Sequence, residues 1–136
     1  MTAPDDLFDS SLTAQYEAYP YPERSAKEES KRLLIGSPSH LREIDHWIFG
    51  ARRPAGQPLN ALMAGGGSGD ATLMLAQQMA TAGRPGTVTW LDRSAGARKV
   101  AGARVAARSL ENVGFEEGSI LELPASGLGP FDYIDC

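Results

Sequence analysis

The chain has 136 residues, enough for one domain with a real core and no more. A net charge of −4 and a pI near 5.1 argue against a nucleic-acid surface built on bulk charge. The single cysteine, Cys136, excludes an internal disulfide framework, and no apolar run approaches the roughly 18 residues of a membrane span.

The first residues are acidic and lack the basic-then-apolar pattern of a secretion signal, so a reducing, cytoplasmic compartment is expected. Tyr16, Tyr19 and Tyr21 stand among Pro20 and Pro22, and each proline pushes its predecessor into extended geometry. This arm should pack onto the domain or line a pocket rim. A helix is expected over 25–35, with Ser25 as N-cap and Glu28 three residues on. Glu28, Glu29, Lys31 and Arg32 read as its solvated face. A second helix should begin at Ser37 and Pro38, with Leu41, Ile44, Trp47 and Ile48 as one apolar stripe. His40 and His46 read as surface histidines. Residues 51–58 form a loop by their prolines and glycine, with Arg52 and Arg53 solvated in preference to meeting an acidic partner.

From residue 59 the pattern becomes strand, helix, strand, helix. Strands are expected over 60–64, 87–92, 112–115 and from 131 onward. Helices are expected over 70–82 and 94–110, the second with Val100, Ala103 and Ala107 along one side. The segment 123–130 should be a loop. Such alternation means a parallel sheet with right-handed crossovers. The expected fold is α/β, a Rossmann-like doubly wound parallel sheet, partial, of strand order 3-2-1-4, behind an N-terminal helical arm. Residues 1–55 would form the arm with two helices, and 56–136 the sheet domain. The apolar run ending in Cys136 suggests a chain that stops in mid-strand. The exposed edge of the fourth strand would then favour self-association.

Gly65, Gly66, Gly67 and Gly69 cluster where the first strand turns into a helix, spaced G-x-G-x-G with one glycine inserted. Glycine serves positive φ and close approach of a ligand to the main chain. Such a turn places backbone N–H groups and a helix N-terminus at the carboxyl edge of the sheet. A dinucleotide fingerprint would set its third glycine at Asp70. An acid there should repel a pyrophosphate, which favours a ligand with a positive charge and an amino-acid part. Asp92 ends the second strand, where an acid can accept both hydroxyls of a free ribose. The run Glu117, Gly118, Ser119, Ile120 and Leu121 would flank an adenine.

Together these segments resemble the N-terminal part of a class I S-adenosylmethionine-dependent methyltransferase. The matching stretches are 61–69, Leu91 to Ser94, 118–124 and 131–134, in the family's order, with an arm at 16–22 like that of some members. The resemblance implies S-adenosylmethionine as cofactor and an unidentified methyl acceptor. It implies that Gly65 and Gly67 approach the methionine part, that Asp92 holds the ribose, that Ser119 and Ile120 lie beside the adenine, and that Gly66, Gly69 and Arg93 also belong to the cofactor site. Met63 and Ser119 stand where the family usually carries acids. No catalytic residue and no metal ligand is assigned. The alternatives are an NAD-dependent oxidoreductase and a non-catalytic methyltransferase-like partner domain.

Overall fold

The computed structural model describes residues 24–36 and 38–136. The tyrosine arm and the Ser37 cap lie outside the described residues.

Four parallel strands form one sheet: β1 (Leu59–Ala64), β2 (Gly86–Asp92), β3 (Val113–Glu117) and β4 (Tyr133–Asp135), in the order β3-β2-β1-β4. This is the expected 3-2-1-4 order. Among the described residues four α-helices precede or connect them, α1 (Ala26–Glu29), α2 (Leu41–Glu43), α3 (Asp70–Ala82) and α4 (Ala95–Ala107), with a π-turn and a short 3-10 helix besides. Strand β1 is nearly all buried, as a central parallel strand must be, because both of its faces are covered. On one face, Ala61, Met63 and Val88 pack against Leu75, Ala76 and Met79 of α3, against Leu41 of α2 and against Ile44 directly after it. Trp90 on that face packs against Ala97 and Ala101 of α4. On the other face, Leu62, Ala64 and Leu91 are covered by Leu123 and Phe131 from the β3–β4 connection.

Helix α3 matches its expected bounds, and Leu73, Leu75, Ala76 and Met79 are its buried face. The other helices differ from expectation. Helix α4 buries Ala97, Ala101, Arg104 and Val105, while Ala103 and Ala107 face solvent and Val100 is half-buried. An alanine-rich helix carries little periodic signal, and its buried arginine inverted the reading.

Helix α1 is a single turn capped by the Ser25 hydroxyl, not a helix to residue 35. The Lys31 amide closes a turn on the Glu28 carbonyl, and the chain then has no regular structure up to Gly36, whose N–H meets Met74 Sδ at 3.1 Å. Glu29 is buried rather than solvated. Helix α2 starts at Leu41 with His40 as its cap, the ring Nδ1 accepting from the Arg42 amide at 3.2 Å. It continues as a π-turn over Ile44–Ile48, closed by the Phe49 amide on the Ile44 carbonyl. The wider turn shifts side chains off the 3.6-residue period. Leu41 and Ile44 are buried, but Trp47 is 78% exposed and Ile48 54%. His46 is exposed, its ring edge-on to Trp47.

Arg53 is not solvated: it lies 3.9 Å from the Phe49 ring centre and pairs with Asp132 at 3.0 Å. That arginine and the Asn60 amide hold the Asp132 carboxyl below its ordinary range. The 123–130 segment begins inside a short 3-10 helix, Ile120–Ala125.

Candidate functional site

The carboxyl ends of β1, β2 and β3 come together at one edge of the sheet. The register pairs Ala64 with Leu91 and Asp92 with Glu117, and the Gly118 amide donates to the Asp92 carbonyl at 3.0 Å. Gly65 to Gly67, Asp92, Ser119 and Ile120 therefore border one region, the place where ligands bind in open parallel sheets.

The turn itself is tightly bonded. Gly65 and Gly66 amides both donate to the Leu91 carbonyl, at 2.8 and 3.0 Å. The Gly67 amide donates to Asp92 Oδ2 at 2.9 Å, and the Gly69 amide to the Gly66 carbonyl at 3.1 Å. The expectation that these glycines offer their N–H groups to a ligand is therefore corrected, because the protein uses them. The Gly66, Gly67, Ser68 and Gly69 carbonyls likewise accept from Gly69, Trp90, Arg104 and Leu73. The Gly65 carbonyl takes no part in these bonds.

Three glycines have separate reasons. Gly65 has φ +75° and open space around it, with Ile120 Cδ1 3.9 Å from where a Cβ would stand. Its surroundings leave room for a close ligand, and Ile120 borders that room. At Gly66 a Cβ would lie 2.2 Å from the Trp90 indole, so packing demands glycine there. At Gly69, φ is +100° and a Cβ would press on Leu73 and Ala101 at 3.0 and 3.1 Å, so this glycine sets the approach of α3 and α4.

Asp92 is half-buried and accepts from Gly67 through Oδ2 and from the Ser94 amide through Oδ1 at 3.0 Å. A carboxylate has about four acceptor sites, so each oxygen keeps one for a further donor. Arg93 follows, half-buried. The Ser119 hydroxyl caps the 3-10 helix by accepting from Leu121 at 3.2 Å.

Asp70 does not face a ligand as an unbalanced charge. Arg24 grips it in a two-point pair at 3.0 and 3.0 Å, and Arg104 reaches it at 2.9 Å. Burial alone would raise its pKa, but the two guanidiniums outweigh burial and hold the carboxyl below its ordinary range. A pyrophosphate is disfavoured here by the occupied glycine amides rather than by repulsion from Asp70.

Sequence reasoning missed two groups. One is the arginine network around Glu29, since an acid beside another acid in a charged run gives no burial signal. The other lies at the end of β4. Ser39, 1% exposed, bonds the Tyr133 hydroxyl at 3.0 Å and donates to Asp135 Oδ2. Burial, with Asp135 and Glu43 nearby, pushes the Tyr133 phenol up. Met63 is buried in the core and stands in register with Asp135, so at this level the carboxylate is on the neighbouring strand.

A cavity of about 550 Å³ opens elsewhere, between α2, the last turns of α3 and Arg53, Ala55 and Arg84. It lies at the amino edge of the sheet, away from the glycine turn.

No family model matches the sequence, and no curated protein does. Solved structures do. PKMT2 from Rickettsia typhi, in complex with AdoHcy, matches with a TM-score of 0.55 and 25% identity, over 85% of this chain and 20% of that one. A protein assigned as an O-methyltransferase from Klebsiella pneumoniae matches with 0.52 and 18%, over 98% and 53%. A protein-L-isoaspartate O-methyltransferase matches with 0.50 and 23%, over 67% and 26%. This chain has the fold of the class I S-adenosylmethionine-dependent methyltransferases. It spans about half the length of the Klebsiella pneumoniae protein and about a quarter or less of the other two.

Proposed function

We propose that this chain forms the cofactor-binding part of an S-adenosylmethionine-dependent methyltransferase, acting on an acceptor still to be identified. The observation that carries the reading is the state of the glycine turn. Its four glycine amides are spent internally, the Gly65 carbonyl accepts from no donor among the described residues, and Gly65 is open to close approach. A turn of this kind suits a ligand that donates hydrogen bonds, such as an ammonium, better than a phosphate, which needs donors. Asp92 supports the reading with its two spare acceptor sites at the end of β2. Ile120 would cover one side of an adenine, and Arg93 and Ser119 border the same region. That AdoHcy occupies PKMT2, which shares the fold, points the same way.

S-adenosylmethionine would supply the chemistry, a methyl carbon activated by its sulfonium. The chain would supply orientation and exclusion of water. Asp92 would fix the ribose end, and the Gly65 carbonyl the ammonium end. No helix among the described residues is long and apolar enough to cross a membrane, and we place the enzyme in the cytoplasm. Strand β4 is an edge strand with Ile134 53% exposed, which favours self-association.

Thermal unfolding with S-adenosylhomocysteine tests the cofactor. A ligand at 100 times its Kd adds about 2.7 kcal/mol to stability and raises Tm. An unchanged Tm at millimolar ligand with a folded chain refutes the reading. NADH should leave Tm unchanged, and a shift with NADH would favour an oxidoreductase. Labelled-methyl transfer into a cell extract distinguishes an enzyme from a non-catalytic partner domain.

A further inference from the structure

Glu29 and Arg104 form an ion pair at 2.8 Å with side chains 2% and 1% exposed. Burying two charges costs several kcal/mol per ion unless geometry and further hydrogen bonds offset it. Here both groups have further bonds. Arg104 donates through Nε to Glu29 and through Nη1 to the Ser68 carbonyl at 2.8 Å and to Asp70 at 2.9 Å. Glu29 also accepts from Arg108 Nε, and Arg108 reaches the Glu29 carbonyl at 3.3 Å and Gln77 of α3 at 3.2 Å. Arg24 completes the set on Asp70.

One guanidinium thus touches three residues on two separate pieces of chain. Ser68 belongs to the glycine turn, Asp70 starts α3, and Glu29 ends α1. An arginine fork can fix a carbonyl and two carboxylates in one plane, which a lysine cannot do. Neither residue borders the Asp92 region, so neither is placed to touch a ligand there.

We propose that Arg104 is a positioning residue for the glycine turn, and that Glu29 makes the docking of 24–29 part of the turn's ligand-binding state. When Glu29 is seated, Arg104 is held against the Ser68 carbonyl and the turn keeps its shape. When 24–29 lifts away, Arg104 and Arg108 lose their buried carboxylate, and Arg104 is drawn toward Asp70 or solvent. Ligand affinity at the turn and docking of 24–29 are then linked, and linkage is reciprocal. Binding at the turn tightens the segment, and the segment tightens binding. This inference rests on the cofactor reading above.

The test uses S-adenosylhomocysteine titrated calorimetrically into the 136-residue chain and its Glu29→Gln variant, with amide hydrogen exchange followed over 24–32. In the wild-type chain the ligand should slow exchange in that segment. Glu29→Gln keeps the shape but not the charge. It should weaken binding tenfold or more and remove the ligand's effect on exchange. Arg104→Lys should not rescue what Arg104→Met loses. A merely structural role would lower Tm in these variants and leave the Kd of the folded protein unchanged. The proposal is overturned if wild-type exchange over 24–32 ignores bound ligand, or if folded Glu29→Gln binds as wild type does. Wild-type measurements decide the first outcome even if Glu29→Gln does not fold, and Arg108→Met then supplies a milder variant expected to weaken binding in the same direction. No binding to the wild-type chain refutes the cofactor reading and this inference with it. Normal wild-type binding with no linkage refutes this inference alone.

Discussion

The Gly67 amide points at Asp92 Oδ2 from 2.9 Å, so the carboxylate that ends β2 also shapes the turn that ends β1. Asp92→Asn sets an amide NH₂ against either the Gly67 or the Ser94 N–H. One buried donor then loses its partner, at a cost of about 1–3 kcal/mol. Urea unfolding should show that loss, and titration with S-adenosylhomocysteine should show affinity down tenfold or more. Unchanged affinity would remove Asp92 from the ribose role.

Gly66 and Trp90 compete for one space. Gly66→Ala must displace the indole or the turn, because the added carbon would sit 2.2 Å from Trp90. Overpacking of this kind costs about 1–3 kcal/mol. In a double-mutant cycle, Trp90→Phe should relieve part of the Gly66→Ala penalty, giving a non-additive pair. Additive losses would show that the two do not meet.

Acid should weaken the fold through Asp70. Its folded pKa lies below the usual 3.8, so the native state holds the carboxylate more strongly than the unfolded chain does. The stabilisation is complete above about pH 5 and fades as pH falls through 3.8 toward the folded value. Asp132, lowered by Arg53, acts in the same direction. Unfolding free energy measured from pH 6 to pH 2 should decline less steeply in Asp70→Asn than in wild type.

Sedimentation should detect self-association that grows with concentration. Ile134→Lys places a charge on the exposed edge and should shift the distribution toward monomer. A wild-type chain that stays monomeric at high concentration would dismiss the β4 edge as an interface.

The sheet was legible because buried parallel strands carry long-range order in local signals. Leu59 to Ala64 is an apolar run ended by glycines, and α3 has clean helical spacing. Spacing was enough to place the glycine turn at the end of β1 and Asp92 at the end of β2. What was not legible depends on contacts distant in sequence. Glu29 is buried only because Arg104 on α4 and Arg108 at the cap of that helix wait for it, and no window around Glu29 contains that fact. Arg104 made an alanine-rich helix bury an unexpected face. Trp47 left its apolar stripe because one turn took the wider π spacing. Gly66 looked like a ligand-facing residue, and its reason is Trp90, twenty-odd positions away.

The chain has two tryptophans, and the π-turn separates them optically. Trp47 emits from water and is open to acrylamide, whereas Trp90 is fully buried with its indole N–H on the Gly67 carbonyl. With Trp47 quenched, the remaining fluorescence comes from a ring in direct contact with the glycine turn. The protein therefore carries an intrinsic optical gauge of the shape of that turn, readable without a label.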